Sequence, residues 1–195
     1  MLAESMVDVE VARGFHVAAD LAVPEDARGV VAFVTRGVAL AAACNERGFA
    51  TVQMDLGVSA VDVENNATTF ANVVTAIVRE AMLFDRPIGY FGAGLDGVAA
   101  LVAASLHTNE VAAVVTLDAP LDVAGTHLTG VRAASLFLVS DETLTAATQD
   151  ALPALPGGST LVQHAADVTS AAVDWFDQYL RGVMRGARRE LWRSA

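Results

Sequence analysis

The sequence predicts an α/β protein: a three-layer α/β/α sandwich around a mostly parallel sheet, opened by an antiparallel N-terminal hairpin. Three observations carry this. Short runs without polar alternation, GVVAFV at Gly29 to Val34 first among them, suit strands buried on both faces. Such runs alternate with segments of helical period through short links, which makes the strands parallel and places helices on both faces. The opening pair is different. Met6 to Val11 and Phe15 to Val23 are joined around Arg13-Gly14, a link that permits only an antiparallel hairpin.

After Pro24, the apolar run from Gly29 is the first buried strand. Gly37 to Glu46 is Ala-rich and helical, closed by Arg47-Gly48. Phe49 to Leu56 is the next strand. Phe70, Val73, Val74, Ile77, Val78 and Ala81 then keep the helical period without a gap, and Asn65 or Asn66 is the expected cap. Pro87 to Gly92 (PIGYFG) is a short strand. Leu95 to Leu106 is a helix apolar nearly all round, hence central and buried. Val111 to Leu117, Ala134 to Ser140 and Thr160 to Gln163 complete the sheet. The last helix gathers Val168, Ala171, Ala172, Trp175, Phe176, Tyr179 and Leu180 on one face.

Composition narrows the function classes. The 195 residues are 54% hydrophobic and 18% charged, enough apolar surface for a core and too much for a disordered chain. No apolar run approaches the roughly 20 residues of a membrane span, and Met1-Leu2-Ala3-Glu4 does not open like a secretory leader. A soluble, cytoplasmic, single domain over residues 1–195 is therefore expected. With 23 acidic and 12 basic residues the net charge is −11, and every basic residue is Arg. Such a surface repels phosphate backbones, so no nucleic-acid partner is expected, nor a membrane. Arg181, Arg185, Arg188, Arg189 and Arg193 crowd residues 181–195. These read as a basic helix end or tail, or as a docking surface for an acidic partner or a second copy of the chain.

In an open α/β sheet, ligands sit beyond the carboxyl ends of the strands. Those ends hold Thr35-Arg36-Gly37, Gly92-Ala93-Gly94-Leu95-Asp96-Gly97, Asp118, Asp141 and His164. The glycine-rich stretch spells G-x-G-x-x-G, so a nucleotide-binding loop using Gly92 to Gly97 and Asp118 is one reading. Its late position and the repulsion between Asp96 and a pyrophosphate weigh against that. The other reading is a nucleophile elbow, a strand, sharp turn and buried helix that present a reactive side chain at the turn.

The order elbow, then Asp, then His resembles the small, lidless α/β-hydrolases of the dienelactone-hydrolase type. The resemblance is carried by Asp20-Leu21-Ala22-Val23-Pro24, Arg28 to Phe33, Arg47 to Thr51, Met54-Asp55-Leu56, Pro87 to Ala93 and Ala172 to Phe176. It implies an elbow serine, an acid at Asp141, a histidine at His164, and a ligand site bordered by Thr35, Arg36 and Leu95. The departures are sharper than the matches. Gly94 occupies the serine position of G-x-S-x-G, Asp96 replaces the glycine that follows, and the loop Thr35-Arg36-Gly37-Val38 lacks the usual His-Gly start. A degenerate hydrolase with a binding or scaffold role is the leading expectation, with a small molecule or another copy of the chain as partner. The alternative is an active small-substrate hydrolase in which Asp96 attacks and His164, oriented by Asp141, activates water. That elbow would be shifted by two residues.

Bland roles compete at each position. Asp96 suits the first turn of a helix, where the dipole favours a carboxylate. Asp141 suits a helix cap, and His164 a strand end. Cys44 in its Ala-rich helix reads as core filler. His16, His107 and His127 show no metal-ligand spacing, and Ser59 and Ser105 lack an elbow context. No metal and no cofactor is expected.

Overall fold

The computed structural model describes residues 1–163 and 167–180. Eight strands form one sheet in the order β1-β2-β4-β3-β5-β6-β7-β8. β1 (Leu2–Ala12) and β2 (Phe15–Pro24) pair antiparallel, and β2 runs antiparallel to β4 (Ala50–Met54). From there β4, β3 (Val30–Phe33), β5 (Ile88–Ala93), β6 (Val111–Leu117), β7 (Ala134–Val139) and β8 (Ser159–Gln163) are parallel. Two helices, α1 (Val38–Glu46) and α5 (Val168–Tyr179), cover one face; α2 (Val63–Glu80) and α3 (Leu95–Leu106) cover the other. The fifth helix, α4 (Glu142–Ala151), follows β7.

The strands divide their side chains between two cores, as period-2 geometry requires. Val30, Ala32 and Val34 pack towards α2 and α3; Val31 and Phe33 pack towards α1 and α5. Helix α3 is apolar on every side because it lies between sheet, α2 and the segment after β6, and Val98 to Ala104 are all buried. The α1–α5 layer is fastened at the amino-terminal end of the sheet. There the half-buried Arg28 donates to the Asp177 carboxylate and stacks over the Phe49 ring at 4.5 Å.

The structure corrects the sequence at three places. The hairpin strands are longer than their alternating cores, and β1 reaches back to Leu2. Helix α2 begins at Val63, so Asn65 and Asn66 lie inside its first turns rather than at its cap. Asp62 holds the cap position without a side-chain cap bond, its carboxylate instead accepting the Ser59 hydroxyl at 3.2 Å. Finally, Leu121–Gly130, for which the sequence predicts no element, forms a 3-10 segment that carries His127. Gly125 (φ 53°) breaks that segment into two short pieces, which is why no single helical period marks it. Cys44 is fully buried core filler, and burial pushes its thiol up to about 12, out of reach of thiolate chemistry.

Candidate active site

The site is built on the turn from β5 to α3. Gly94 caps α3 with φ 56° and ψ −128°, a region that only glycine enters without strain. Its N–H donates to the Leu117 carbonyl at 2.8 Å, tying the turn to the end of β6. Two neighbouring glycines are required by packing. A Cβ on Gly92 would lie 2.3 Å from the Asp96 carbonyl oxygen and 2.6 Å from the Gly97 nitrogen. One on Gly97 would lie 2.9 Å from the Gly92 oxygen and 3.0 Å from the Ala119 Cβ. Strand and helix therefore approach as closely as backbone allows. Gly94 is the opposite case: a Cβ there would meet nothing within 4 Å. Its side-chain direction opens into free space above the sheet. The turn retains the shape that presents a nucleophile, and the residue at its apex has no side chain.

Asp96 lies in the first turn of α3, one residue beyond half-buried Leu95. The turn conformation falls on Gly94, so an attacking carboxylate would work from the helix and not from an elbow apex. Burial, and then the nearby Asp55 carboxylate, push the Asp96 pKa above its ordinary value. The Thr35 hydroxyl and the Val58 backbone partly offset this by hydrogen bonding to its ionised form. Asp55 and Val58 belong to the stretch after β4, so the mouth of the site joins three strand ends. Neither residue was legible as a site component, because nothing in the spacing links them to Asp96.

This raised pKa has a sign that can be checked. An acid with a folded-state pKa above its unfolded value favours folding below the unfolded pKa, and that advantage is lost as pH rises through the folded pKa. At neutral pH the ionised Asp96 is therefore a cost. Asp96→Asn keeps an oxygen for Thr35 and Val58 and removes the charge. It is expected to raise Tm at neutral pH, and the gain should vanish as the solution is acidified through the carboxylate range, read by thermal melts across pH.

The remaining residues have partners of their own. Arg36 pairs with Asp20 at 2.9 Å and leaves Thr35 as the member of its loop that meets Asp96. Asp118 has φ 49°, unusual for a residue other than glycine. Its carboxylate accepts the Ser140 N–H at 2.7 Å and the Ser140 hydroxyl at 2.8 Å, clasping the end of β6 to the end of β7. Asp141 is the N-cap of α4 and accepts from the N–H groups of Thr143 at 2.7 Å and Leu144 at 3.2 Å. Hydrogen bonds from Leu144 and Thr143 hold its pKa below the ordinary range. His164 and the arginines at 181–195 lie outside the described residues.

One serine, histidine and carboxylate do meet elsewhere. His127 Nε2 lies 3.0 Å from Glu64, and Nδ1 lies 3.4 Å from the Ser105 hydroxyl. That hydroxyl donates to the Val102 carbonyl at 2.7 Å within the last turn of α3. A helix C-terminus presents carbonyl oxygens and negative potential, the reverse of what a developing oxyanion needs. The cluster therefore joins α2, α3 and the 3-10 segment structurally. Among the described residues, no group of three metal-ligating side chains occurs, and no helix is long and apolar enough to cross a membrane.

Comparison with known proteins places this geometry. A crystal structure of dienelactone hydrolase from Anabaena variabilis superimposes with a TM-score of 0.82 at 26% identity, over 92% of this chain and 99% of that one. Est1E from Butyrivibrio proteoclasticus gives 0.68 at 14% identity, over 91% and 99%. Carboxyl esterase 2 from Tuber melanosporum gives 0.68 at 12%, over 94% and 88%. The chain thus has the α/β-hydrolase fold in its dienelactone-hydrolase form. No family model matches it. In sequence it is 30% identical, over a 207-residue alignment, to two Mycobacterium tuberculosis proteins provisionally named phosphoribosyl transferases, from strains CDC 1551 / Oshkosh and ATCC 25618 / H37Rv. The match takes in 90% of this chain and 47% of each relative, so the chain spans about half of their length.

Proposed function

We propose that this chain uses an α/β-hydrolase scaffold to bind a small, uncharged or cationic molecule above the β5–α3 turn, without hydrolysing it through a serine. One observation carries the reading. Gly94 holds the strained turn (φ 56°, ψ −128°), and open space lies where a nucleophile would project. Two further features support it. Asp141, at the acid position, spends one carboxylate oxygen on two backbone N–H groups of α4. Asp118, the nearest alternative acid in sequence order, has both oxygens on Ser140.

The charge around the turn sets the ligand class. Asp55 and Asp96 face one another electrostatically, and Arg36 is paired with Asp20. Such a mouth disfavours phosphate and carboxylate ligands. For this reason the transferase name of the mycobacterial relatives is not carried over to this site. A G-x-G-x-x-G nucleotide site meets the same objection.

The test combines stability with turnover. A panel of small esters and lactones is added to the full chain while Tm and product are both followed. A binder at about ten times its Kd contributes about 1.4 kcal/mol, or ~3–5 °C for a chain of this size. Stabilisation without product is the expected result. Product formed faster than in buffer would contradict the proposal. A second reading rests on Asp96, which stands beside the turn and contacts Thr35. If it acts as a nucleophile, turnover must be present in the wild type and absent in Asp96→Asn.

A further inference from the structure

A groove of about 940 Å³ runs between the β1–β2 hairpin and α1. Its floor is the hairpin. Strand pairing sets Met6 opposite Asp20 and Glu4 opposite Ala22, and β4 continues these two rows with Gln53 and Thr51. Its wall is α1, where Val38, Ala42 and Glu46 lie four residues apart and so form one ridge along the helix. Two hydrogen bonds that seat α1 on the sheet fix how ridge and rows align. Gly37, just before the helix, donates its N–H to Gln53 Oε1 at 3.0 Å. Near the helix end, the Thr51 hydroxyl donates to Asn45 Oδ1 at 3.2 Å. The Met6 row therefore meets α1 at Val38, and the Glu4 row meets it at Glu46.

The groove thus has two unlike ends. At one, Met6 is 76% and Val38 is 78% accessible, far more than their chemistry favours. The carboxylate in that row, Asp20, is already paired with Arg36 at 2.9 Å. At the other end stand Glu4 and Glu46, which make no ion pair among the described residues. Glu25 also lines the groove, but it is held by the chain's own amino terminus at 3.3 Å. Two residues along a strand span ~7 Å and eight along a helix ~12 Å, which sets the distance between the apolar and the acidic end.

We infer that the groove between the β1–β2 hairpin and α1 binds a small amphiphilic cation, an apolar body joined by a short chain to an ammonium group. The body covers Met6 and Val38, and the ammonium lies between Glu4 and Glu46. The volume is that of a site for a molecule of this size. Other occupants fit less well. A phosphate, a carboxylate or an anionic lipid headgroup is repelled by the two unpaired glutamates. A neutral apolar molecule covers Met6 and Val38 but partly desolvates those carboxylates without giving them a partner. A second copy meeting this face through a two-fold axis brings the same acidic end into the contact twice. The site is separate from the β5–α3 turn, because β2, β4 and β3 stand between β1 and β5 in the sheet, a distance of about 19 Å.

The test follows the isotope-labelled methionine methyl groups of the full chain by NMR. Titration with phenylbutylamine at neutral pH should move the Met6 signal to saturation in the millimolar range. Met82, 72% exposed beyond the end of α2, should stay in place. Phenylbutanol and phenylbutanoate keep the apolar body and change only the head, and both are expected to bind about tenfold more weakly or worse. Glu4→Gln combined with Glu46→Gln should weaken the amine about tenfold, the scale of two lost partly exposed ion pairs, and leave phenylbutanol unchanged. Both glutamates are exposed, so the variant should fold as the wild type does. A Met6 signal that the amine leaves unmoved, or moves no more than Met82, would overturn the site. Equal affinity for the three probes, or an amine affinity indifferent to the glutamate changes, would overturn the cationic class. A Met6 signal that shifts with protein concentration alone would assign the face to a second copy and overturn the proposal as well.

Discussion

Gly92→Ala is expected to destabilise the protein by about 3 kcal/mol or more, the upper end for overpacking at a site that cannot relax. The added methyl would sit 2.3 Å from the Asp96 carbonyl oxygen and 2.4 Å from its carbon. Both are backbone atoms of the first turn of α3, and that helix is buried against the sheet, so neither partner has room to withdraw. For a chain of this length the cost corresponds to a fall in Tm of ~6–12 °C. Gly94→Ala, two residues along, gives the contrast. Nothing crowds its Cβ, and the penalty is limited to holding φ at 56°, about 1–2 kcal/mol. Denaturant melts of the two variants side by side check the difference. Equal effects would contradict the close approach of β5 and α3.

The second large effect is expected on the other face of the sheet. Phe176→Ala removes a ring that is fully buried between α5 and β5. Gly89 shows how closely that ring lies on the strand, since a Cβ there would come within 2.7 Å of it. The cavity cannot collapse onto a strand hydrogen-bonded on both sides, so a loss of about 3–5 kcal/mol is expected. The midpoint of urea unfolding should drop with little change in slope. The loss should be separable from the turn, because Phe176 and Gly92 lie in different cores and their effects should add.

How far the sequence speaks for itself depends on the residues asked. Gly29 to Val34 declares a strand buried on both faces, and the structure divides Val30 and Val31 between the two cores as that pattern demands. The register from Tyr90 to Ala93 places the turn at Gly94, and the backbone there has the left-handed conformation that an elbow needs. Asp141 is ambiguous in sequence because capping and orienting a histidine call for the same residue at the same strand end. Its contacts with Thr143 and Leu144 show that one of its oxygens caps α4. Other features leave no local trace. Asp55 meets Asp96 through the sheet order, and Ser140 meets Asp118 only because β6 and β7 are neighbours. The groove beside α1 is hidden for a related reason: an Ala-rich helix reads the same whether one side or both are covered.

Whether the turn has lost its chemistry is measured most directly by the initial rate of p-nitrophenyl acetate hydrolysis at neutral pH, the wild-type chain against buffer. The two rates are expected to coincide, within error, at every protein concentration. A rate that rises in proportion to protein would contradict the loss of chemistry at the turn.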